Sequence, residues 1–273
     1  MGRVYVHLDG PRNSIDQDIQ LKILNLLNDN LLFQSMKISI KTNNSNLGLR
    51  NSVINGIDWF FENEEQGIIL EDDLTLEPFA LQYFQNALDS KKCRQNYVSV
   101  SGNQFLATDR YGYINYPLIW GWATWREKWN LIKIHIEEPQ SLHHLDIKNL
   151  PFSGFISGGL IRISNGKLDS WAFTFLAASV KYNWCHLVPP SQLISNIGDD
   201  EFATHTENLP NFAIASMSRN EELPEIPNQI TRDHNLEKFV LRNLYNLRLK
   251  HLFSPLKAFL ETNVIKMGFT RLG

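Results

Sequence analysis

Over the first hundred residues the chain alternates between two hydrophobic periodicities, and this alternation constrains the fold more than any other feature. Residues 4–8 read as a strand, closed by the turn residues Asp9, Gly10 and Pro11. From Ser14, a candidate helix cap, Ile15, Ile19, Ile23 and Leu26/Leu27 recur at three- and four-residue steps, which predicts a helix with that face buried. Residues 36–41 alternate as a second strand. A polar loop over 42–46 leads into a second helix with Leu49, Val53, Ile57 and Phe60/Phe61 on one side. Residues 67–70 form a third strand. Pro78 then opens a helix that buries Phe79, Leu81, Tyr83/Phe84 and Leu88, and residues 97–100 are a fourth strand. Strands and helices taking turns predict an α/β fold with a doubly wound, mainly parallel sheet.

The third strand ends abruptly in three carboxylates, Glu71, Asp72 and Asp73. Ligands of open α/β sheets bind beyond the carboxyl ends of strands. Three adjacent acids repel one another unless a cation sits among them, and oxygen-only donors suit Mn²⁺ or Mg²⁺. A solvated acidic turn is the plain alternative, and on the triplet alone the two readings are even. On a strand end side chains alternate, which puts Glu71 and Asp73 on one side and Asp72 on the other. Asp73, furthest along, is then best placed to reach an ion, with Asp72 turned toward a ribose hydroxyl or a metal-bound water.

After residue 100 the pattern changes. Trp120, Trp122, Trp125 and Trp129 cluster around Gly121. Trp125 and Trp129, at helical spacing, read as core. Trp120 and Trp122 are candidate walls for an apolar sugar face, with Gly121 allowing close approach. Residues 153–159 are rich in Gly and Ser and read as a loop. Asp169 stands at the start of a helix, either as its cap or as a general base. His205 lies in a polar loop, where a surface imidazole is the commoner outcome. The His143-His144 pair shows no ligand spacing.

Net charge of −3 gives no reason to expect nucleic acid. Cys93 and Cys185 are far apart and read as reduced core thiols, which with the absence of a leader after Met1 points to a cytoplasmic protein. No apolar run approaches the ~20 residues that span a bilayer. Residues 220–230, rich in Pro, Glu and Asn, read as a linker. The tail from Arg232 carries eight Lys/Arg against three acids. It reads as a solvated helical face, with peripheral contact to an anionic membrane as the minority reading. The expected division is a domain over 1–220 and a linker plus basic helical extension over 221–273.

In their order along residues 4–207, these features resemble the GT-A glycosyltransferases, most closely bacterial and viral proteins similar to N-acetylglucosaminyltransferase I. The resemblance implies that Asp9, ending the first strand, contacts the nucleotide base. Arg50 lies in the segment 46–50, which looks like the loop entering the helix before the metal motif. Residues 69–74 resemble that motif, with Asp73 on Mn²⁺ (or Mg²⁺) and Glu71 and Asp72 near the nucleotide sugar. Residues 121–125 resemble the glycine loop of the donor and acceptor pocket, so that Gly121 and Trp122 face the donor. Residues 169–171 resemble the motif carrying the base of inverting members, hence Asp169. The 195–206 loop implies His205 as a further metal or diphosphate ligand.

The activity implied is metal-dependent, inverting transfer of a hexosyl or N-acetylhexosaminyl group. The donor is a nucleotide sugar, by resemblance UDP-linked, and the acceptor a glycan or lipid-linked glycan. Two departures stand out. Relatives begin with a strand and helix ahead of residues 4–8, and these are absent here, so a truncated or non-catalytic GT-A-like domain acting in binding or assembly is the rival reading. Relatives also often carry Arg-Trp where this chain has Thr174-Phe175, which bears on the acceptor. A glycoside hydrolase is a weaker third reading, because Asp73 and Asp169 lack partner acids nearby in sequence.

Overall fold

The computed structural model describes residues 2–29, 37–106, 108–142, 152–198 and 223–245. The chain is mixed α/β and divides into two compact units, at Glu64/Glu65.

The first unit is β1 (Arg3–Leu8), α1 (Ser14–Asp29), β2 (Lys37–Thr42) and α2 (Gly48–Asn63). β1 and β2 pair in parallel, Arg3 opposite Lys37 through Leu8 opposite Thr42, with α1 as the crossover that parallel strands require. Tyr5 meets Trp59 and Phe60 of α2 edge-on, each at 5.1 Å, and its hydroxyl donates to Glu64 at 2.7 Å. Asn13, not Ser14, caps α1, accepting from the Asp16 amide at 3.0 Å. The expected apolar face of α1 is present but not buried: Ile15 is 68% exposed and Leu26 60%.

In the second unit the chain runs β3 (Gln66–Ile69), β4 (Leu74–Leu76), α3 (Ala80–Asp89), α4 (Lys91–Asn96), β5 (Ser99–Ser101), β6 (Gly112–Ile114) and β7 (Trp122–Trp125). It continues through α5 (Arg126–Glu137), α6 (Ser153–Ser164), α7 (Trp171–Tyr182), β8 (His186–Val188), β9 (Ile194–Asn196), β10 (Thr231–Arg232) and α8 (His234–Phe239). Six strands form one mixed sheet in the order β10-β6-β8-β5-β7-β3, and β4 pairs with β9 in a small separate ladder. Parallel pairing joins β5 to β8 and β6 to β10. β7, from the tryptophan segment, runs antiparallel between β3 and β5, so the sheet is mixed rather than mainly parallel at this edge.

β7 also explains why both faces of the sheet are covered. Its side chains alternate, and all four residues are buried. Trp122 faces Trp129 of α5 and Trp171 and Phe175 of α7. Ala123 and Trp125 instead join Tyr83, Phe84 and Leu88 of α3, with the Trp125 indole donating to the Leu88 carbonyl at 3.1 Å. Each fully buried tryptophan contributes roughly 4–6 kcal/mol of gross transfer free energy.

Two sequence expectations give way here. The Gly/Ser-rich residues 153–159 are helical, in α6. A Cβ on Gly159 would lie 2.0 Å from the Phe173 ring, so the small residues let α6 approach α7, and that contact outweighs their poor helix propensity. The expected linker is also packed: Leu223, Ile226 and Ile230 lie against the core, and Tyr111 donates to the Pro224 carbonyl at 2.7 Å. β10 then completes the sheet beside β6. Glu237, 5% exposed, ties them by accepting from the Asn115 amide and from Arg232, both at 2.9 Å. Residues 223–245 thus belong to the second unit; the rest of the basic tail and His143-His144 lie outside the described residues. Both cysteines are free thiols. Among the described residues no helix is long and apolar enough to cross a membrane.

Candidate functional site

Asp9 and Arg50 belong to the first unit. Asp9 follows β1, and its carboxylate accepts from the amides of Gly10 (2.9 Å) and Leu47 (3.0 Å) and from the side chains of Asn43 (3.1 Å) and Asn46 (3.0 Å). Burial raises its carboxyl pKa, but the bonds from Leu47, Asn43 and Gly10 outweigh that and hold it below the ordinary value. A carboxylate offers about four lone-pair positions, so this one is saturated as the staple of the 43–47 loop. Arg50 lies in the first turn of α2.

The remaining described candidates belong to the second unit. β3 stops at Ile69, and Glu71 to Leu74 is a tight turn in which the Leu74 amide donates to the Glu71 carbonyl. The alternation argument for the three acids therefore fails, because the backbone is not extended there. Asp73, expected furthest out, is instead the most enclosed of the three, while Glu71 and Asp72 are exposed. Desolvation, then the charges of Asp73 and Asp72, push the Glu71 carboxyl up to about 7. Glu71 as a whole is exposed while its carboxyl is desolvated by surrounding protein.

Asp73 is held from the other side by β9. The β4–β9 ladder sets Leu74 opposite Asn196, and the Ile197 amide extends it by donating to the Asp73 carbonyl at 2.8 Å. Gly198 comes next. A Cβ there would stand 2.5 Å from Asp73 Oδ2, so glycine is the residue that lets this backbone lie against the carboxylate. His205, expected in the segment that follows, lies outside the described residues.

The same sheet end gathers two further segments. Ile69 pairs with Trp122 in the β3–β7 ladder, which sets the acid turn beside Gly121. Gly121 has φ +64°, and its carbonyl accepts from the Gly102 amide at 2.9 Å. A Cβ at Gly121 would stand 2.8 Å from Ile194 Cγ1, so a packed side chain rather than a ligand is what approaches it. Trp122 is 1% exposed and stacks on Trp171 at 6.1 Å. It is core, which corrects its placement on a sugar-facing wall.

The Trp122–Trp171 stack brings in Asp169, two residues earlier. Ser170 supplies the cap of α7, accepting from the Phe173 amide at 3.2 Å, so Asp169 is exposed and is not the cap. Ser170 lines a cleft of about 220 Å³, together with Trp120, Phe105, Phe173 and Asn103. Sequence reading passed over Asn103, which lies two residues past the carboxyl end of β5. It is fully buried, and among the described residues neither its Nδ2 nor its Oδ1 has a hydrogen-bond partner. An unsatisfied buried group costs about 1–3 kcal/mol.

Among the described residues, no three His, Cys, Asp or Glu side chains are grouped tightly enough to hold an ion by themselves. The donors at the acid turn are oxygen only, as a hard cation prefers, and Mg²⁺-type sites usually combine one or two carboxylates with substrate phosphates. On that chemistry Asp73, beside the Gly198 backbone, fits such a shared site. Searches against protein-family models and against curated proteins find no match for this chain.

Proposed function

We propose that the chain is a metal-dependent GT-A-type glycosyltransferase, moving a sugar with inversion from a nucleoside-diphosphate donor to a hydroxyl acceptor. The observation that carries the reading is the meeting of three segments at one end of the sheet: the acid turn after β3, the Gly121 loop before β7 and Asp169 before α7. They are linked by the Ile69–Trp122 pairing and the Trp122–Trp171 stack.

In this reading Asp73 would hold the ion, Mn²⁺ or Mg²⁺, whose chemistry there would be charge neutralisation of a diphosphate leaving group. Asp169 takes the proton of the acceptor hydroxyl. That oxygen forms the new bond to the anomeric carbon as the bond from that carbon to the diphosphate oxygen breaks, and the electron pair leaves with the diphosphate. UDP is the nucleotide by resemblance.

One observation favours a second reading, a non-catalytic GT-A-like domain: the Asp9 carboxylate, assigned to the base, is already filled by four protein groups. Calorimetry of UDP-sugars with and without Mn²⁺ separates the two. The enzyme reading expects heat that depends on Mn²⁺ and is lost in Asp73→Asn. It also expects Asp169→Asn to bind donor as before while turning nothing over. No heat with any UDP-sugar, or full turnover in Asp169→Asn, overturns it.

A further inference from the structure

We propose that the outer face of α1 is a self-association surface, on which a second copy of this chain docks its own α1 antiparallel across a two-fold axis. Nothing in this depends on the transfer reading.

The surface follows from the spacing of four side chains. Ile15, Ile19, Ile23 and Leu26 recur at steps of four, four and three residues. At about 3.6 residues per turn, these steps gather them within about 80° of the helix circumference. The stripe is turned outward: Ile19 is 49% exposed, and Ile15 and Leu26 more so. The less exposed side of α1 bears Asp16, Gln20, Leu24 and Leu27, and Gln20 donates from it to the Asp9 carbonyl at 3.0 Å. Rolling the helix to bury the stripe would take Gln20 off that carbonyl. The helix therefore keeps two polar side chains toward its own unit and shows its isoleucines. Monomer surfaces rarely carry a contiguous apolar patch larger than a few hundred Å², and patches of that order mark interaction sites.

Spacing and charge both select a second copy as the occupant. Read from either end, the stripe has nearly the same spacing. An antiparallel copy thus sets Ile19 against Ile23 and Ile15 against Leu26, as an isologous contact requires. Asp18 and Lys22, both exposed, stand along one flank of the stripe, Lys22 next to it and Asp18 one step further round. In an antiparallel two-fold pair like flanks meet, so Asp18 of each copy comes within a turn of Lys22 of the other. A parallel pair would set that flank against the one bearing Asp16, acid facing acid. The seam and the charges agree on one orientation. A lipid surface is a poor fit, because α1 carries Asp16, Asp18 and Asp29 against the single cation Lys22.

One helical stripe supplies less than the about 800 Å² per partner of a standard interface. Association is therefore expected to be weak and reversible, on the order of tens of micromolar.

Sedimentation equilibrium of the full chain over roughly 1–300 µM should show the mass rising from monomer toward dimer. Ile19→Asp should weaken the dimer at least about tenfold and leave the denaturation midpoint of a dilute sample unchanged. Asp18→Lys and Lys22→Asp should each weaken it roughly fivefold, since each acts at both symmetric contacts, and the double swap should restore it. Should Ile19→Asp lower the midpoint of a chain that dimerises, the charge swaps decide, because they remove no apolar contact. A monomer at every concentration, a dimer as strong in Ile19→Asp, or a double swap that fails to restore association overturns the proposal. A monomer destabilised by Ile19→Asp overturns it too, the stripe then being covered from within the chain.

Discussion

Replacing Gly121 by alanine tests the geometry that sets the acid turn, the cleft and β9 together. Two costs can be worked from the structure. At φ +64° an L-residue sits in the left-handed region, at about 1–2 kcal/mol. The new methyl would also stand 2.8 Å from Ile194 Cγ1 and 2.9 Å from its Cδ1. Ile194 is fully buried and its Cγ1 already abuts Gly102, so it cannot retreat freely, and overpacking of this kind costs about 1–3 kcal/mol. The expected total is about 2–5 kcal/mol, read from urea denaturation. Ile194→Val is the control: residues in contact couple, so Gly121→Ala should cost about 1 kcal/mol less in that background. A loss below about 1 kcal/mol, or no coupling to Ile194, would refute the reasoning.

Two further outcomes follow from the core. Burial holds His186 down to about 3 from an ordinary value of 6.5, its ring lying 2.8 Å from Ser99 Oγ and 3.1 Å from Ser179 Oγ. Its neutral form is kept in the fold while the unfolded chain takes a proton below 6.5, so stability is flat above that pH. Below it, stability falls by about 1.4 kcal/mol per unit, or roughly 2.7 kcal/mol by pH 4.5. Denaturation across pH should show that slope, and should lose it in His186→Gln. Ser170→Ala removes the α7 cap and should cost about 1 kcal/mol of stability, and an unchanged midpoint would mean the cap is supplied elsewhere.

Elements with a clean period were legible in the sequence. Residues 4–8, 36–41, 67–70 and 97–100 each overlap a strand, and helices follow where the apolar spacing predicts them. What was hidden depends on distant partners. Trp-Ala-Thr-Trp shows no polar alternation, because β7 is buried on both faces, and so it did not read as a strand. The α6 glycines signal a loop until Phe173 is seen to occupy the space their side chains would need. Of the candidate site, Asp73 and Asp169 were named from motif order. Nothing local marks Asn103 as buried, since an asparagine after a strand reads as a turn residue.

The place of β10 has a consequence for synthesis. It occupies one edge of the sheet and β3 the other, although β3 is made first and β10 only some 160 residues later. A chain leaving the ribosome can therefore pair β6 with β8 on one side while the other side shows open N–H and C=O groups. Such an edge invites another chain, and it is shielded only when Thr231 and Arg232 dock. Two residues made late are thus what separates a finished sheet from a sticky nascent one.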